Sequence, residues 1–179
     1  ISRDRFGEKP LYYYSDDNAF YFASQISILK KITNLSFEIN NAQMSKYLFS
    51  GYKVLNHTNE TFYKKIFKID HSTNYLIKSN IKIKKEKYYK PQYKPTNKMN
   101  NKEVVGEVRR LLTRGLGLRL RADVPISFCL SGGIDSSSLA SLATKELNTQ
   151  TKTYSIIDKD KRYDESENIN LITNDLKCN

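Results

Sequence analysis

The sequence predicts an α/β protein whose C-terminal half begins a parallel β-sheet. The apolar run Ile126–Leu130 is long enough for one buried strand. A Ser/Gly turn follows it and opens a helix that extends to about Leu147. Thr153–Ile157 has the β-branched and aromatic composition of a second strand. Strand, helix and strand in this order predict a βαβ unit with a right-handed crossover.

The turn between this strand and its helix has the features of an anion site, and we call residues Leu130–Ser136 the phosphate loop. The first backbone N–H groups of a helix lack intrahelical partners, and the helix dipole adds positive charge there. Glycines let the backbone approach a phosphate closely, and serines add hydroxyl donors. We expect phosphate binding by Leu130, Ser131, Gly132, Gly133 and Ser136.

Asp135 stands inside this loop, where a carboxylate would repel phosphate unless a cation lies between them. Mg²⁺ is the expected bridge, so Asp135 is the predicted metal residue. The loop lacks the Gly-Lys-Ser/Thr ending of the Walker loop and the three spaced glycines of the dinucleotide fingerprint. The plain alternative is an ordinary strand–turn–helix with a serine as N-cap.

The beginning of the chain is predicted to be rich in β-structure. Two aromatic strands, Leu11–Tyr14 and Phe20–Ala23, flank a turn at Asp16–Asn18. Ser24 is the predicted N-cap of a short helix that follows. The charged residues 3–9 form a turn that we interpret as salt-bridged and structural.

A helix is predicted from Asn40 to about Phe49, with Asn40 and Gln43 as a variant of the capping box. Its apolar stripe is expected to be core, because apolar residues at helical spacing usually pack inward. That stripe consists of Met44, Tyr47 and Leu48.

A hairpin is predicted from Asn74–Lys78 and Ile81–Lys85 around a turn at Ser79 and Asn80. The preceding turn, Asp70–Asn74, contains an asparagine that can adopt the left-handed conformation.

Lys90–Lys98 contains two of the four prolines and no apolar periodicity, which favours a linker. Beyond it, Asn100 or Asn101 is expected to cap a helix that runs to about Leu120. The 3–4 spacing of its apolar residues predicts one buried face. That face consists of Val104, Val108, Leu111, Leu112 and Gly115.

The formal net charge of +11 raises the question of nucleic-acid binding. The positive charge has a local excess at Lys78–Lys94, where tyrosines interleave with the lysines. Lysines that alternate outward on a strand explain this pattern equally well, so we disfavour nucleic acid as a partner.

The two cysteines, Cys129 and Cys178, give neither a disulfide framework nor zinc spacing. Cys129 lies in the predicted strand and is expected to be apolar filler. No apolar run is long enough to cross a membrane. A reducing cytoplasm fits these observations.

Several motifs carry a family resemblance. Ser-Gly-Gly-Ile-Asp-Ser resembles the pyrophosphate loop (PP-loop) of the ATP pyrophosphatases, and the run Arg119–Pro125 before it matches as well. Arg3–Tyr14 resembles the Arg-Asp-x-Gly turn and Pro-Leu-Tyr-Tyr strand at the end of the glutaminase domain in glutamine-hydrolysing asparagine synthetases. Phe22–Ser24 matches the family's Phe-Ala-Ser, with Gln25 where the family usually has Glu.

This resemblance implies an internal fragment of two domains. Residues 1–36 would be the β-rich end of an N-terminal-nucleophile, class II glutaminase domain, and residues 37–98 a connecting helix, hairpin and linker. Residues 99–179 would begin an ATP-pyrophosphatase (adenine nucleotide α-hydrolase-like) synthetase domain. The resemblance also puts the adenine against the backbone at Ser155–Ile157, which adds Ile156 to the expected ATP site.

In function, the resemblance implies an ATP-dependent ligase that makes asparagine from aspartate, ATP and glutamine or ammonia. The route passes through β-aspartyl-AMP and releases pyrophosphate, with Mg²⁺ as cofactor, and a homodimer is compatible with it. The cysteine nucleophile of the glutaminase is absent from this chain, so we expect the isolated polypeptide to have no complete active site. Two alternatives stay open: a related amidotransferase or other pyrophosphate-loop adenylating enzyme acting on a different carboxylate, and a basic nucleic-acid-binding module.

Overall fold

The computed structural model describes residues 1–95 and 99–178 and divides into two compact units, Ile1–Tyr93 and Lys94–Asn179. Both units combine helices with small sheets, as expected for a mixed α/β chain. Part of the predicted linker, residues 96–98, lies outside the described residues. The three proposed segment boundaries stay predictions.

The first unit is built on small antiparallel sheets. In one sheet the strand Tyr12–Ser15 lies between Phe20–Ala23 and Phe67–Lys68, and Tyr12 is opposite Ala23 and Lys68. The predicted hairpin forms a separate two-stranded sheet. The elements are β1 (Tyr12–Ser15), β2 (Phe20–Ala23), α1 (Ile26–Thr33), α2 (Asn41–Ser50), a 3₁₀ helix (Gly51–Asn56), β3 (Phe67–Lys68), β4 (Thr73–Ile77) and β5 (Ile83–Lys87).

The core of this unit is formed where α1 packs on the sheet. Ala23, Leu29 and Ile66 are buried together, and aromatic side chains of the neighbouring strands close around them. Leu29 lies on the inward face of α1 because it is three residues from Ile26, which also contacts the cluster. The short strand β3 was not predicted, and it brings Ile66 to the sheet.

Two expectations about the helices of this unit are wrong. Gln25, rather than Ser24, is the N-cap residue of α1. Leu48 in α2 is 74% exposed, and the residue that α2 buries is Gln43. One of the two hydrogen bonds of the predicted capping box is confirmed: the Asn40 side chain accepts from the Gln43 N–H at 3.2 Å.

The turn before the hairpin also differs from its prediction. Ser72, with φ 57°, adopts the left-handed conformation, and Asn74 lies in strand β4. Ser72 is fully buried, and its hydroxyl donates to the Arg5 carbonyl at 2.6 Å. The strained backbone of the turn is therefore compensated by a partly buried hydrogen bond to the charged N-terminal turn.

That charged turn is organised around backbone groups. The Asp4 carboxylate accepts hydrogen bonds from the N–H groups of Phe6, Glu8 and Lys9, which hold the pKa of Asp4 below its ordinary value. The Arg3 guanidinium donates to three backbone carbonyls, including that of Ile69 at 2.7 Å. These contacts fix the turn against the segment that leads into the hairpin.

The second unit contains the predicted βαβ arrangement. The strands Ser127–Cys129 and Lys152–Tyr154 pair in parallel, and Cys129 lies opposite Tyr154. The elements are α3 (Asn101–Arg119), β6 (Ser127–Cys129), α4 (Ile134–Ser141), a π-helical turn (Leu142–Glu146), β7 (Lys152–Tyr154) and α5 (Ser166–Leu176). Asn100 caps α3 in a complete capping box with Glu103.

The structure corrects four details of this unit. The helix after the phosphate loop changes from α to π geometry at Leu142, and β7 ends at Tyr154 rather than at Ile157. Cys129 is exposed, so it is not buried filler. The expected buried face of α3 is largely exposed, and Leu116 is the buried residue of that helix.

Among residues 1–95 and 99–178, no helix combines the length and apolarity needed to cross a membrane.

Candidate functional site

The phosphate loop leaves the carboxyl end of β6 and enters α4. Its first residue, Leu130, extends the parallel pairing, because its N–H donates to the Tyr154 carbonyl at 2.8 Å. The same residue is 2% exposed and packs with Ala140, Ile169 and Leu176 in the core of the second unit. The loop therefore starts from a rigid, buried point at the carboxyl edge of the sheet, where open α/β sheets bind their ligands.

Serine hydroxyls hold the two ends of the loop together. Ser136 Oγ accepts from the Ser131 N–H and lies near the Ser131 hydroxyl, both at 3.2 Å. It also donates to the Gly133 carbonyl at 3.2 Å, while Ser137 Oγ donates to the same carbonyl at 2.7 Å. Ser131 and Ser136 are thus brought together as expected, and Ser137, another of the serines after the two glycines, joins them at the Gly133 carbonyl.

The two glycines of the loop have different roles. Gly132 has φ +77°, a conformation that favours glycine, and a Cβ there would lie 3.0 Å from the Cβ of Asn168 and 3.4 Å from the Glu165 carbonyl oxygen. Gly133 has an ordinary φ of −74° and is the N-cap residue of α4. A Cβ on Gly133 would meet the Ser131 Oγ at 3.4 Å. Of these two positions, only 132 has a backbone conformation that favours glycine.

The start of α5 forms the wall against Gly132. Glu165 is the N-cap residue of that helix, and Asp164 accepts hydrogen bonds from the hydroxyl and the N–H of Ser166. These hydrogen bonds hold the pKa of Asp164 below its ordinary value. The Asp164 carboxylate thus holds the N–H of the first residue of α5, while the Glu165 side chain makes no capping hydrogen bond. Asn168 had no signal in the sequence, because its proximity to Gly132 depends on how α5 packs.

Asp135 lies in the first turn of α4 and is exposed. Its carboxylate oxygens are hard donors of the kind that Mg²⁺ prefers, and a phosphate-bound Mg²⁺ commonly uses only one or two protein carboxylates. In the described part of the chain, no group of three or more His, Cys, Asp or Glu side chains could hold a metal ion by itself. The residues present fit a cation that is held mainly by phosphate oxygens.

Ile156, the last predicted site residue, lies two residues beyond β7 and is 98% exposed. The phosphate loop and Ile156 thus follow the carboxyl ends of two neighbouring parallel strands. The assignment of these residues to ATP stays a prediction.

Comparison with known proteins finds two families along this chain. Residues 1–89 match the glutamine amidotransferase domain, and residues 107–179 match asparagine synthase. The second match contains the whole phosphate loop.

Individual relatives match across nearly the whole chain. A putative glutamine-hydrolysing asparagine synthetase 2 of Methanocaldococcus jannaschii is 31% identical over 98% of this chain and 34% of its own length. Glutamine-hydrolysing asparagine synthetase 1 of Bacillus subtilis is 33% identical over 87% of this chain and 24% of its own length. Amidase chry2 of Gibberella zeae is 29% identical over 84% of this chain and 22% of its own length.

The chain spans about a third or less of the length of these curated relatives. Within that span, the order of the two family matches is the order expected from the motifs at Arg3–Tyr14 and at the phosphate loop. The chain belongs to the family of glutamine-hydrolysing asparagine synthetases.

Proposed function

We propose that the protein from which this chain comes makes asparagine from aspartate, ATP and glutamine or ammonia. In this proposal the aspartate side-chain carboxylate is adenylated, pyrophosphate leaves, and ammonia displaces AMP from β-aspartyl-AMP. The observation that carries the proposal is the phosphate loop itself. It joins a parallel strand to a helix N-terminus, and the positive φ of Gly132 lets the loop turn between that strand and α4 while it packs closely against α5.

The residues of the loop would stabilise the departing pyrophosphate. The N–H groups of the first turn of α4, which have no intrahelical acceptor, would act on this negative charge, and the hydrogen bonds among Ser131, Ser136 and Gly133 hold the loop around them. The Ser136 hydroxyl donates to the Gly133 carbonyl, so it would give up that hydrogen bond in order to donate to a phosphate. Mg²⁺ would supply Lewis-acid stabilisation of the phosphate charge. Asp135 would hold that cation, and Ile156 would lie beside the adenine.

The first unit would then be the end of the glutaminase domain, and the second unit the beginning of the synthetase domain. We propose the boundaries 1–36, 37–98 and 99–179 for the glutaminase end, the connection and the synthetase start. We also propose the cytoplasm as the location and a homodimer as the assembly. The substrates are small molecules, and nucleic acid has no role in this proposal.

Mg-ATP binding by the full chain tests the proposal. A fluorescent ATP analogue is titrated with and without Mg²⁺, and unlabelled ATP and pyrophosphate are used as competitors. The proposal expects Mg²⁺-dependent binding, competition by both anions, and a loss of about tenfold in affinity for Asp135→Asn. Asp17→Asn, the same change at an exposed turn residue of the first unit, should bind as the unchanged chain does.

Two outcomes would overturn it. If ATP binding is unchanged by Mg²⁺ and by Asp135→Asn, the loop is an ordinary strand–turn–helix that does not bind phosphate. Competition by ATP but not by pyrophosphate would place the nucleotide elsewhere.

A second candidate is an amide-forming enzyme of the same chemistry with a different carboxylate. The similarity to Amidase chry2 of Gibberella zeae, whose name does not restrict it to aspartate, supports a different substrate. Pyrophosphate release by the parent protein, measured with aspartate and with other carboxylates, separates the two candidates.

A further inference from the structure

A positively charged groove runs along one side of α3, away from the residues assigned to the phosphate loop. It has a volume of about 730 Å³ and lies entirely within the second unit. Arginine side chains dominate it, with four of them against one glutamate, Glu146. The arginines are Arg109, Arg110, Arg114 and Arg121.

The groove exists because side chains are missing from its floor. Gly106 and Gly117 both line it, and a Cβ on Gly106 would have no atom within 4 Å. The π-helical turn supplies the opposite wall with Glu146 and Leu147. From Gly106 to Leu118 the groove follows about 18 Å of helix at the usual rise per residue. This length exceeds that of a single small anion.

Some of the arginines are already paired and others are not. Arg109 binds Glu146, and Arg110 binds Glu107 at 2.6 Å. Arg114 and Arg121 are exposed and have no ion-pair or hydrogen-bond partner among the described residues 1–95 and 99–178. The groove therefore keeps an excess of guanidinium groups that match carboxylates or phosphates bidentately.

The other residues that line the groove indicate whether its partner carries carboxylates or phosphates. Leu118, which is 53% exposed, and Leu147 contribute apolar surface, and no aromatic ring belongs to the lining. Single-stranded nucleic acids bind through aromatic stacking platforms in addition to positive charge. A helical peptide with acidic and apolar side chains would instead satisfy both the arginines and the leucines. We propose that this groove binds an acidic, leucine-bearing helical segment of a partner protein.

A labelled model peptide tests this proposal with the full chain. The peptide repeats Glu and Leu at helical i, i+4 spacing, and its binding is followed by fluorescence anisotropy at low and high salt. We expect binding that weakens with salt, and a peptide with Gln in place of Glu should not bind. Arg114→Glu/Arg121→Glu should lower the affinity at least about tenfold, because the two unpaired attractive charges of the groove become repulsive.

The matched control is Lys78→Glu/Lys82→Glu, which changes the net charge equally at the exposed tip of the hairpin. It should leave the affinity within about twofold, since screening limits distant charges. If the arginine reversal perturbs folding in circular dichroism, the neutral Arg114→Gln/Arg121→Gln pair replaces it, with a smaller loss of affinity expected.

Three results would overturn the proposal. The first is the absence of peptide binding at low salt. The second is equal weakening by the arginine and lysine variants, which would indicate general charge attraction. The third is tighter binding of polyuridine RNA that disappears with the arginine variants, which would make the groove a nucleic-acid site.

Discussion

Gly132 of the phosphate loop lies directly against Asn168 of α5: a Cβ added to the glycine would be 3.0 Å from the Cβ of the asparagine. The loop is thus clamped between the strand that precedes it and a helix more than thirty residues later in the chain. A phosphate loop held in this way has its N–H groups oriented before any ligand arrives, which lowers the cost of binding.

The first prediction concerns the two loop glycines. Gly132→Ala should destabilise the second unit by roughly 1–2 kcal/mol, because an L-residue is strained at positive φ and the new methyl group meets Asn168. Gly133→Ala should cost less, since φ is ordinary there and the close atom belongs to the movable Ser131 side chain. Urea unfolding measures the free energy of unfolding of both variants.

Gly115→Ala is the matched control for these changes. Gly115 lies inside α3, and a Cβ there would have no atom within 4 Å. The alanine should stabilise this helix by roughly 0.5–1 kcal/mol. Equal losses at Gly132 and Gly133 would contradict the different roles assigned to them.

The second prediction concerns Asp70 before the hairpin. Burial alone would raise the pKa of Asp70, but hydrogen bonds from Tyr75, Asn59 and Lys85 outweigh it and lower the pKa from 3.8 to about 2. Tyr75 Oη donates to the carboxylate at 2.5 Å, and Lys85 Nζ at 3.0 Å. The ionised carboxylate therefore stabilises the folded state above the unfolded pKa, and this stability is lost as the pH falls from about 4 through about 2.

A pKa lowered from 3.8 to about 2 corresponds to roughly 2 kcal/mol. We expect about 1 kcal/mol, because the side chain is 33% exposed and water screens the interaction. Asp70→Asn should remove this pH dependence of the urea midpoint, as followed by tyrosine fluorescence. Asp17→Asn should retain it. A pH profile unchanged by Asp70→Asn would assign the acid sensitivity to other carboxylates.

The third prediction concerns the start of α3. Asn100 accepts from the Glu103 N–H at 3.1 Å, and the Glu103 carboxylate accepts from the Asn100 N–H at 2.9 Å. Asn100→Ala should cost about 1 kcal/mol, since the first turn loses a cap. Lys102→Ala, an exposed change in the same turn, should cost less than half of that. Faster amide exchange in the first turn of α3 for Asn100→Ala alone is the expected signature.

These caps show which features were accessible from the sequence. Asn100 and Asn40 are recognisable because capping depends on residues three positions apart. The Ser/Gly turn between the parallel strands was also predictable, because it depends on residues that are adjacent in the sequence. The contact of Gly132 with Asn168 was not, because it depends on the packing of elements that are distant along the chain.

The predictions that were wrong also depended on contacts between elements distant along the chain. Apolar spacing in α3 indicated a buried face, but spacing gives the face of a helix and not what covers it. Leu48 and Cys129 were assigned to core for similar reasons and are exposed. At Ser72, local preference favoured the neighbouring asparagine, and tertiary packing placed the serine in the left-handed conformation instead.

The fourth prediction concerns Gln43 of α2, the residue that was expected only to assist a cap. Its side chain is 1% exposed, and neither its amide nitrogen nor its amide oxygen has a hydrogen-bond partner among the described residues. A buried amide without partners costs roughly 1–3 kcal/mol, so Gln43→Met should raise the free energy of unfolding by about 1 kcal/mol. Methionine keeps the length and flexibility of the side chain while it removes the polar atoms.

Urea unfolding of the full chain measures this change, and Gln150→Met serves as the control. Gln150 is exposed, so the same substitution there should alter stability by less than about 0.5 kcal/mol. A loss of stability on Gln43→Met would contradict the prediction. It would mean that the Gln43 amide is satisfied in solution, because removing a satisfied buried amide costs its hydrogen bonds rather than relieving a penalty.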